Sequence, residues 1–266
     1  TTEAQAKEIA SLAEDAGICA AVVFNTRFML PVMRAKALIE EGAIGSVISF
    51  RGAFFHSSAA DPYKKAGWKQ NKNVCGGGVL FDLGSHTIDL ISYLCGKFKT
   101  VSGKSQIAFK SRLGMDGEPW TTNADEAFYM TAELENGACG TITVGKIMQG
   151  ANDDHTFEIF GTDGSIKFDL MQPNYLWYYN AAAPAAVRGV TAIECCGRYP
   201  APGGVFPGVK APIGWLRGHV GSMYNFLRAV NDKTPVSPSF TEAAHVQSVM
   251  EAPYRSDISG KRETVK

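Results

Sequence analysis

The spacing of apolar residues predicts that the chain begins as an α/β structure. Thr2 and Gln5 have the spacing of a capping box, and an apolar stripe follows them, so a helix is predicted up to Gly17. Residues 18–24 are apolar at every position, which is typical of a strand buried on both faces in a parallel sheet. A helix leading into such a strand is the second half of a βαβ unit, and no earlier strand precedes it. We therefore expect residues 1–27 to be the last helix and strand of a doubly wound domain.

The next segments predict a helix, a strand, a loop and a second helix. Residues 31–41 have a helical apolar stripe that stops before Gly42. Residues 46–56 alternate between two faces, as a strand does. Residues 57–75 are polar and irregular, and a long loop of this kind is often a lid or a substrate loop. The apolar stripe of the following helix runs to Cys95.

The middle of the chain has the pattern of an antiparallel sheet. Asn136-Gly137 and Asp163-Gly164 are hairpin turns between segments of alternating polarity. The predicted strands are residues 101–109, 126–135, 138–144, 157–161 and 165–170. We therefore expect an α/β (α+β) fold, in which residues 28–266 form one domain with a large, mostly antiparallel sheet flanked by helices.

The last part predicts an irregular insertion and two helices. Residues 180–214 contain proline and glycine without periodicity. One helix is predicted around Tyr224, and Thr241 is the predicted N-cap of the other. The insertion carries three residues that are either substrate contacts or surface residues: Arg188, Arg198 and Tyr199.

The strongest candidate for chemistry is the glycine-rich segment of residues 75–89. Asp82, His86 and Asp89 stand at i, i+4 and i+7 of a predicted helix and so share one stripe. A carboxylate one turn before an imidazole can orient the ring and raise its basicity, which is how a general base is built. A surface hydrogen bond and a metal site remain open as alternatives. Gly84 costs about 1 kcal/mol relative to alanine inside a helix, which suggests that another group closely approaches the backbone there.

Three further residues are candidate ligand contacts. Asn25 and Arg27 follow the predicted strand, and ligands bind at the carboxyl ends of strands in open α/β sheets. The position is equally consistent with a polar strand end and a surface arginine. Trp68 lies in the polar loop, where it either contacts substrate or pins the loop to the core.

Composition narrows the range of partners. Lys and Arg together number 26, as do Asp and Glu, so the net charge is zero and nothing suggests a nucleic acid or an anionic membrane as partner. No apolar run is long enough to span a bilayer. The six cysteines do not form a spaced framework, which favours a reduced, cytoplasmic protein.

Several short motifs occur in an order that resembles the Gfo/Idh/MocA oxidoreductases. The central motif is Gly76-Gly77-Gly78 followed by Asp82, Gly84, His86 and Asp89. The other matching positions are Phe24 to Phe28, Ala35-Lys36, Glu41 to Gly45, Trp68, Ala124-Asp125-Glu126, Asn136-Gly137, Gly161 to Ser165, and Ser256 in the final helix. Each motif is weak alone, but together they cover nearly the whole chain.

The resemblance implies a two-domain dehydrogenase of a sugar, a polyol or a related hydroxy compound. An N-terminal Rossmann domain would bind NAD or NADP, and the C-terminal domain would bind substrate and form a homodimer or homotetramer through its sheet face. His86 would be the general acid/base, and Asp82 would bind the substrate hydroxyl or hold His86. Asp89 would be a further hydroxyl contact or support the site from behind, beside the candidate contacts Asn25, Arg27 and Trp68.

The sequence departs from this family in two ways. The Gly-x-Gly-x-x-Gly fingerprint and the Glu-Lys-Pro segment with the family's catalytic lysine are absent, so we expect a C-terminal portion that is inactive by itself. Lys69 stands where many members have arginine, which keeps the charge and loses a bidentate donor. The fold also permits a non-catalytic sugar or nucleotide sensor, or a glycosidase that uses NAD.

Overall fold

The computed structural model describes residues 2–197 and 211–266. The first part of the chain is mainly helical. Its elements are α1 (Glu3–Asp15), a 3-10 turn (Asn25–Phe28), α2 (Leu30–Glu40), β1 (Val47–Phe55), a second 3-10 turn (Trp68–Gln70), α3 (Lys72–Cys75), a π-helical turn (Leu80–Gly84) and α4 (Ser85–Cys95).

The second part contains most of the strands and ends in two long helices. Its elements are β2 (Phe98–Gln106), β3 (Ser111–Leu113), β4 (Pro119–Thr121), β5 (Ala127–Leu134), β6 (Cys139–Gly145), β7 (Asp154–Gly161), β8 (Gly164–Asp169), β9 (Tyr175–Asn180), β10 (Val190–Glu194), α5 (Trp215–Asp232), α6 (Phe240–Ser259) and β11 (Glu263–Thr264).

Nine of these strands form one large sheet in the order β10-β9-β8-β7-β1-β6-β5-β2-β11. β1 and β6 are parallel, and the other neighbours are antiparallel. Helices α4 and α6 pack on one face, where Phe50, Phe98 and Phe128 are fully buried. Gly52 of β1 lets α4 approach closely, because a Cβ there would lie 2.6 Å from the Thr87 methyl group. The predicted fold class, a large and mostly antiparallel sheet flanked by helices, is confirmed.

Most predicted elements are present with small shifts in their ends. The capping box at Thr2 exists, with each of Thr2 and Gln5 bonding the other's backbone nitrogen. Both predicted hairpins form, joining β5 to β6 and β7 to β8. The last long helix begins two residues earlier than predicted, since Ser239 rather than Thr241 is the N-cap of α6.

The predicted buried strand at residues 18–24 is wrong. The segment is irregular, with a single bridge between Ala21 and Ser239, and Ile18 and Val23 are 61% and 54% exposed. An all-apolar segment becomes a strand only where a neighbouring strand accepts its backbone hydrogen bonds and helices cover its faces. The described residues place no strand beside it, and its backbone bonds instead to the segment just before α6, as the Val22 nitrogen does to the Pro238 carbonyl.

The predicted irregular insertion at residues 180–214 is correct only in part. Val190–Glu194 pairs with β9 as β10, so its first half contains an edge hairpin. Arg188 lies on the exposed surface, where its Nε donates to the Ala183 carbonyl at 3.0 Å. Two other predicted contacts, Arg198 and Tyr199, lie outside the described residues. Among the helices within residues 2–197 and 211–266, none is both long and apolar enough to cross a membrane.

One edge of the sheet gathers polar residues from three strands. Because β1 and β6 are parallel, His56 and Lys146 follow their carboxyl ends on the same side. β7 runs antiparallel to β1, so Asp153 and His155 enter the sheet at that same edge. The N-terminal end of α4 faces this edge, which brings His86 to it.

Candidate active site at the end of the central helix

A change of helix type separates Asp82 from His86. The π-helical turn Leu80–Gly84 adds a residue to the turn before α4 begins, so the i, i+4 register of an α-helix does not carry through. Both oxygens of Asp82 accept from the Nζ of Lys69, at 2.8 and 2.9 Å. Within the described part of the chain no hydrogen bond joins Asp82 to His86. Asp82 therefore acts on His86 through its charge.

His86 is held between aromatic rings. Its imidazole makes edge contacts with Phe24 and Phe54, at centroid distances of 5.7 and 6.2 Å. In residues 2–197 and 211–266 the ring has no hydrogen-bond partner. Desolvation lowers the pKa of His86 below its usual value, so the ring is neutral at pH 7 and can accept a proton. A neutral imidazole with an unused ring nitrogen is what a general base requires.

Three polar pairs surround this imidazole. They are Lys69 with Asp82, His56 with Asp153 at 2.7 Å, and Asn25 with His219 at 3.2 Å. Against the dominant desolvation, the carboxylates of Asp82 and Asp153 raise the pKa of His86, while the charge of His219 lowers it. Of the residues predicted from the sequence, Asn25, Asp82 and His86 therefore meet in one place.

Helix α5 reaches this place because of a glycine. A Cβ at Gly218 would lie 2.8 Å from the Asn25 carbonyl oxygen, so only a glycine lets α5 pack against the 3-10 turn. The next residue, His219, then contacts Asn25 through its ring nitrogen, and its ring makes an edge contact with the Trp215 ring at a centroid distance of 4.2 Å.

Arg27 and Asp89, two of the predicted substrate contacts, bind each other instead. The Arg27 guanidinium donates to both oxygens of Asp89, at 2.8 and 2.5 Å, and to Glu242 at 2.7 Å. Arg27 and Asp89 are 5% and 1% exposed. Arg27 also lies over the ring of Tyr93 at 4.7 Å. This arrangement joins the 3-10 turn to α4 and α6, and it leaves no oxygen of Asp89 open to a ligand.

The long loop at residues 57–75 is anchored rather than loose. The buried side chain of Arg112 donates to the carbonyls of Ala59, Asp61 and Lys64 and pairs with Glu126 at 2.9 Å. Trp68 is 63% exposed, and its ring lies 5.6 Å from the Lys69 ammonium. The tryptophan therefore does not pin the loop to the core, and it stays a candidate substrate contact.

The glycine-rich turn is clamped to β5 and α6. Tyr254 donates to a carboxylate oxygen of Asp125 and accepts from the Gly78 nitrogen at 3.0 Å. The other oxygen of Asp125 accepts from the Leu80 nitrogen at 3.1 Å. A Cβ at Gly78 would overlap the backbone nitrogen of Asp125, so the close approach requires glycine. At Gly84 the close neighbour is the side chain of Leu80, which would lie 2.7 Å from a Cβ at that position, rather than an external group.

Lys146 is a buried cation behind the Lys69–Asp82 pair. It is 4% exposed, and its Nζ donates to the Lys69 carbonyl at 3.4 Å. Burial lowers the pKa of Lys146, while Asp125, Asp82 and Glu126 raise it. The lysine therefore balances the carboxylates that gather beneath the site.

The described residues provide neither a metal site nor a dinucleotide cradle. No group of three or more His, Cys, Asp or Glu side chains within residues 2–197 and 211–266 is placed to hold a metal ion. A dinucleotide needs a glycine-rich phosphate turn at a helix N-terminus, and Gly-x-Gly-x-x-Gly does not occur in the sequence. The phosphate-binding turn of a dinucleotide site is therefore not among these residues, and the roles assigned to them concern the substrate and its proton.

Sequence reasoning missed His56, Asp153, His219 and Lys146. They are scattered along the sequence, and none belongs to a motif that signals chemistry. One signal was available: His56 follows the predicted strand of residues 46–56, and polar residues that follow different strands can meet at one end of a sheet. Using it requires the order and direction of the strands.

The family follows from a match over the centre of the chain. Residues 32–167, which include Asp82 and His86, match the model of the GFO/IDH/MocA C-terminal domain. The chain belongs to the Gfo/Idh/MocA family. The predicted resemblance is therefore confirmed, and the similarity to characterised dehydrogenases identifies this family member as an enzyme of the oxidoreductase class.

Two curated relatives are sugar dehydrogenases by name. Levoglucosan dehydrogenase of Pseudarthrobacter phenanthrenivorans is 30% identical over 264 residues, which cover 94% of this chain and 68% of the relative. D-xylose dehydrogenase of Paenarthrobacter nicotinovorans is 27% identical and covers 60% of this chain and 43% of the relative.

Solved structures have the same fold. Levoglucosan dehydrogenase in complex with NADH and L-sorbose has a TM-score of 0.95 and 30% identity, covering 100% of this chain and 70% of that one. An NAD binding oxidoreductase from Klebsiella pneumoniae has a TM-score of 0.95 and 26% identity, covering 100% of this chain and 71% of that one.

Proposed function

We propose that this chain carries the substrate site of an NAD(P)-dependent dehydrogenase that oxidises a CH–OH group of a sugar or polyol. The observation that carries the proposal is His86. It is a desolvated, neutral imidazole without a hydrogen-bond partner in the described chain, and the carboxylate of Asp82 lies nearby. Family membership and relatives that act on levoglucosan and D-xylose support the substrate class.

The proton is the part of the reaction that this chain would handle. Oxidation of an alcohol removes a hydride from carbon and a proton from the hydroxyl, and a bound nicotinamide would accept the hydride. The substrate O–H would donate to the free nitrogen of His86, leaving a carbonyl and an imidazolium. Asp82 would stabilise that imidazolium through its charge, while Lys69 keeps the carboxylate in place.

Phe24 and Phe54 have a supporting role in this proposal. Their rings keep water from the sides of His86, which lowers its pKa and leaves it unprotonated before substrate binds. They also restrict the orientation of the imidazole, since no hydrogen bond within the described chain holds the ring.

The cofactor domain is the second part of the proposal. The chain spans 68% of the levoglucosan dehydrogenase that it matches, and the phosphate-binding fingerprint is not in its sequence. A domain that binds NAD(P) would cover apolar residues that are exposed near the start of the chain, such as Ile18 and Val23. Residues 1–27 would then be its last segment, and residues 28–266 the substrate domain.

Substitution of His86 tests the function. In the longest natural polypeptide that contains this chain, His86→Ala should lower kcat by about 10²–10⁴-fold with NAD(P)H binding unchanged, because only the proton acceptor is lost. His245→Ala, in a histidine that lies away from the site beside Lys97 and Glu135, is the matched control. Unchanged turnover in His86→Ala would remove this residue from the mechanism. No turnover of any polyol by the wild type would contradict the activity.

Other expectations from the sequence stay predictions. These are the choice between NAD and NADP, the direction of the reaction, the homodimer or homotetramer through the sheet face, the lack of activity of this chain alone, and the cytoplasmic location.

A further inference from the structure

We propose that Asp125 and Tyr254 are positioning residues for His86, on which they act through the backbone. They anchor the start of the π-helical turn Leu80–Gly84, and this turn decides where the carboxylate of Asp82 lies relative to the imidazole. The inference rests on the proposed function, in which the imidazole is the base, and it adds two residues that do not themselves meet the substrate.

A π-helical turn has to be held in place. Such turns are rare, and they occur mostly as single turns within α-helices, often at functional sites. Here the turn lies between the glycine-rich segment and the regular helix α4. If nothing held its first residues, α4 could continue towards its N-terminus in α geometry, because that is by far the commoner geometry.

Three consecutive backbone nitrogens at the start of the turn are bound from outside the helix. The Gly78 nitrogen donates to the Tyr254 hydroxyl at 3.0 Å. The nitrogens of Val79 and Leu80 donate to the carbonyl and to a carboxylate oxygen of Asp125, at 2.9 and 3.1 Å. The Tyr254 hydroxyl in turn donates to the other carboxylate oxygen of Asp125, so one cluster holds all three nitrogens. A helix leaves its first nitrogens without a partner of its own, and this cluster supplies the partners.

The register of the turn separates Asp82 from His86. In an α-helix, residues four apart are neighbours on one face. Across the π-helical turn Asp82 instead reaches Lys69, whose Nζ lies 2.8 and 2.9 Å from the two carboxylate oxygens. In α geometry the carboxylate would leave the lysine and return to the face of the imidazole, where its charge would raise the pKa of His86 more strongly.

The anchor is fixed by the packing of α6 against the sheet. The ring of Tyr254 makes an edge contact with Phe128 of β5 at a centroid distance of 5.2 Å, and it lies 5.8 Å from the ring of Phe81. Asp125 is buried at the start of β5. The position of the hydroxyl is therefore set by the core, and a phenylalanine would keep the ring while losing both hydrogen bonds.

Tyr254→Phe is the variant that tests the proposal, in the longest natural polypeptide that contains this chain. The pKa of His86 is measured by NMR, from the pH titration of its ring proton in protein with isotope-labelled histidine, and in parallel from the acidic limb of kcat/KM. We expect both to move to higher pH by about one to two pH units, since halving the distance of a unit charge, to about 4 Å at an effective dielectric constant of about 20, changes a pKa by roughly that much. Asp125→Asn should shift the titration in the same direction, because an amide offers one acceptor oxygen where the anchor needs two.

A double variant identifies the charge that is responsible. The other charged or titratable groups around the imidazole are Asp153, His56, His155 and His219. None of these four lies on the turn that the anchor holds. In an Asp82→Asn background, Tyr254→Phe should therefore leave the titration of His86 unchanged.

Tyr178→Phe is the matched control for a purely structural loss. It also removes a hydroxyl that is hydrogen-bonded, in this case to the Ala43 carbonyl at 2.9 Å, between β9 and the turn after α2. It should lower the melting temperature and leave the titration of His86 where it is. An unmoved titration in Tyr254→Phe, or a shift that persists in the Asp82→Asn background, would overturn the positioning role. The NMR titration needs no turnover, so an inactive wild type would contradict the proposed function and still leave this test decisive.

Discussion

Arg27→Met tests whether the buried ion pair behind the site holds the domain together. In the wild type, Arg27 gives Asp89 a bidentate contact, and both side chains are almost completely buried. Methionine has a similar length and would leave a buried carboxylate without a counter-ion. Breaking a buried pair in this way costs about 3–5 kcal/mol, which is a large fraction of the roughly 5–15 kcal/mol that stabilises a domain.

Urea unfolding followed by circular dichroism measures this loss of stability, and two further variants test its cause. The double variant Arg27→Met with Asp89→Leu should recover most of the stability, because the stranded charge is removed as well. Arg51→Met is the control, since Arg51 lies in an exposed pair with Glu158 and should change stability by less than about 0.5 kcal/mol. A loss below about 1 kcal/mol in Arg27→Met would refute the reasoning.

The pH dependence of this loss has a definite sign. Burial raises the pKa of Asp89 to about 6 even though Arg27 acts to lower it, and removing Arg27 would raise that pKa further. A raised pKa in the folded state means that stability increases as the pH falls through it. The variant should therefore regain stability at a higher pH than the wild type, and the difference between them should narrow as the pH falls towards about 6.

Two further predictions concern the site itself. Gly78→Ala should destabilise the fold by about 1–3 kcal/mol and lower activity, because its Cβ would displace the backbone of Asp125. Thermal unfolding measures the loss of stability. Gly189→Ala is the control, since a Cβ at that position meets nothing within 4 Å. In the pH profile of kcat/KM, Asp82→Asn should move the acidic limb of His86 to lower pH, because it removes a charge that raises the pKa of His86. His219→Asn should move the same limb to higher pH, because it removes a charge that lowers this pKa. Shifts in the same direction would contradict this assignment.

The sequence predicted the general fold and the central catalytic candidate for local reasons. Alternation and the turns at Asn136-Gly137 and Asp163-Gly164 predict hairpins because register is set within a few residues. The glycines, Asp82 and His86 stand together in one short motif, so they could be recognised without any knowledge of distant segments.

Direct partners of these residues could not be predicted in the same way. Asp82 was expected to orient His86, but a π-helical turn changes the register, and Asp82 bonds to Lys69 instead. Arg27 was expected at a ligand, but its partner is Asp89, which lies 62 residues away. Residues 18–24 were expected to be a buried strand and are irregular instead. The expectation was wrong because apolar composition does not reveal whether a neighbouring strand is present.

By itself, the sequence determined most of the helices, the hairpins, the family resemblance and the choice of His86 as the candidate general base, since each depends on neighbouring residues or on a compact motif. Only the tertiary structure decided what surrounds His86. The parallel pairing of β1 with β6 and the antiparallel entry of β7 bring His56, Lys146 and Asp153 to one edge, and Gly218 admits His219. The physical reason is that burial and charge, which set the pKa of a catalytic group, depend on distances in space that residue spacing does not encode.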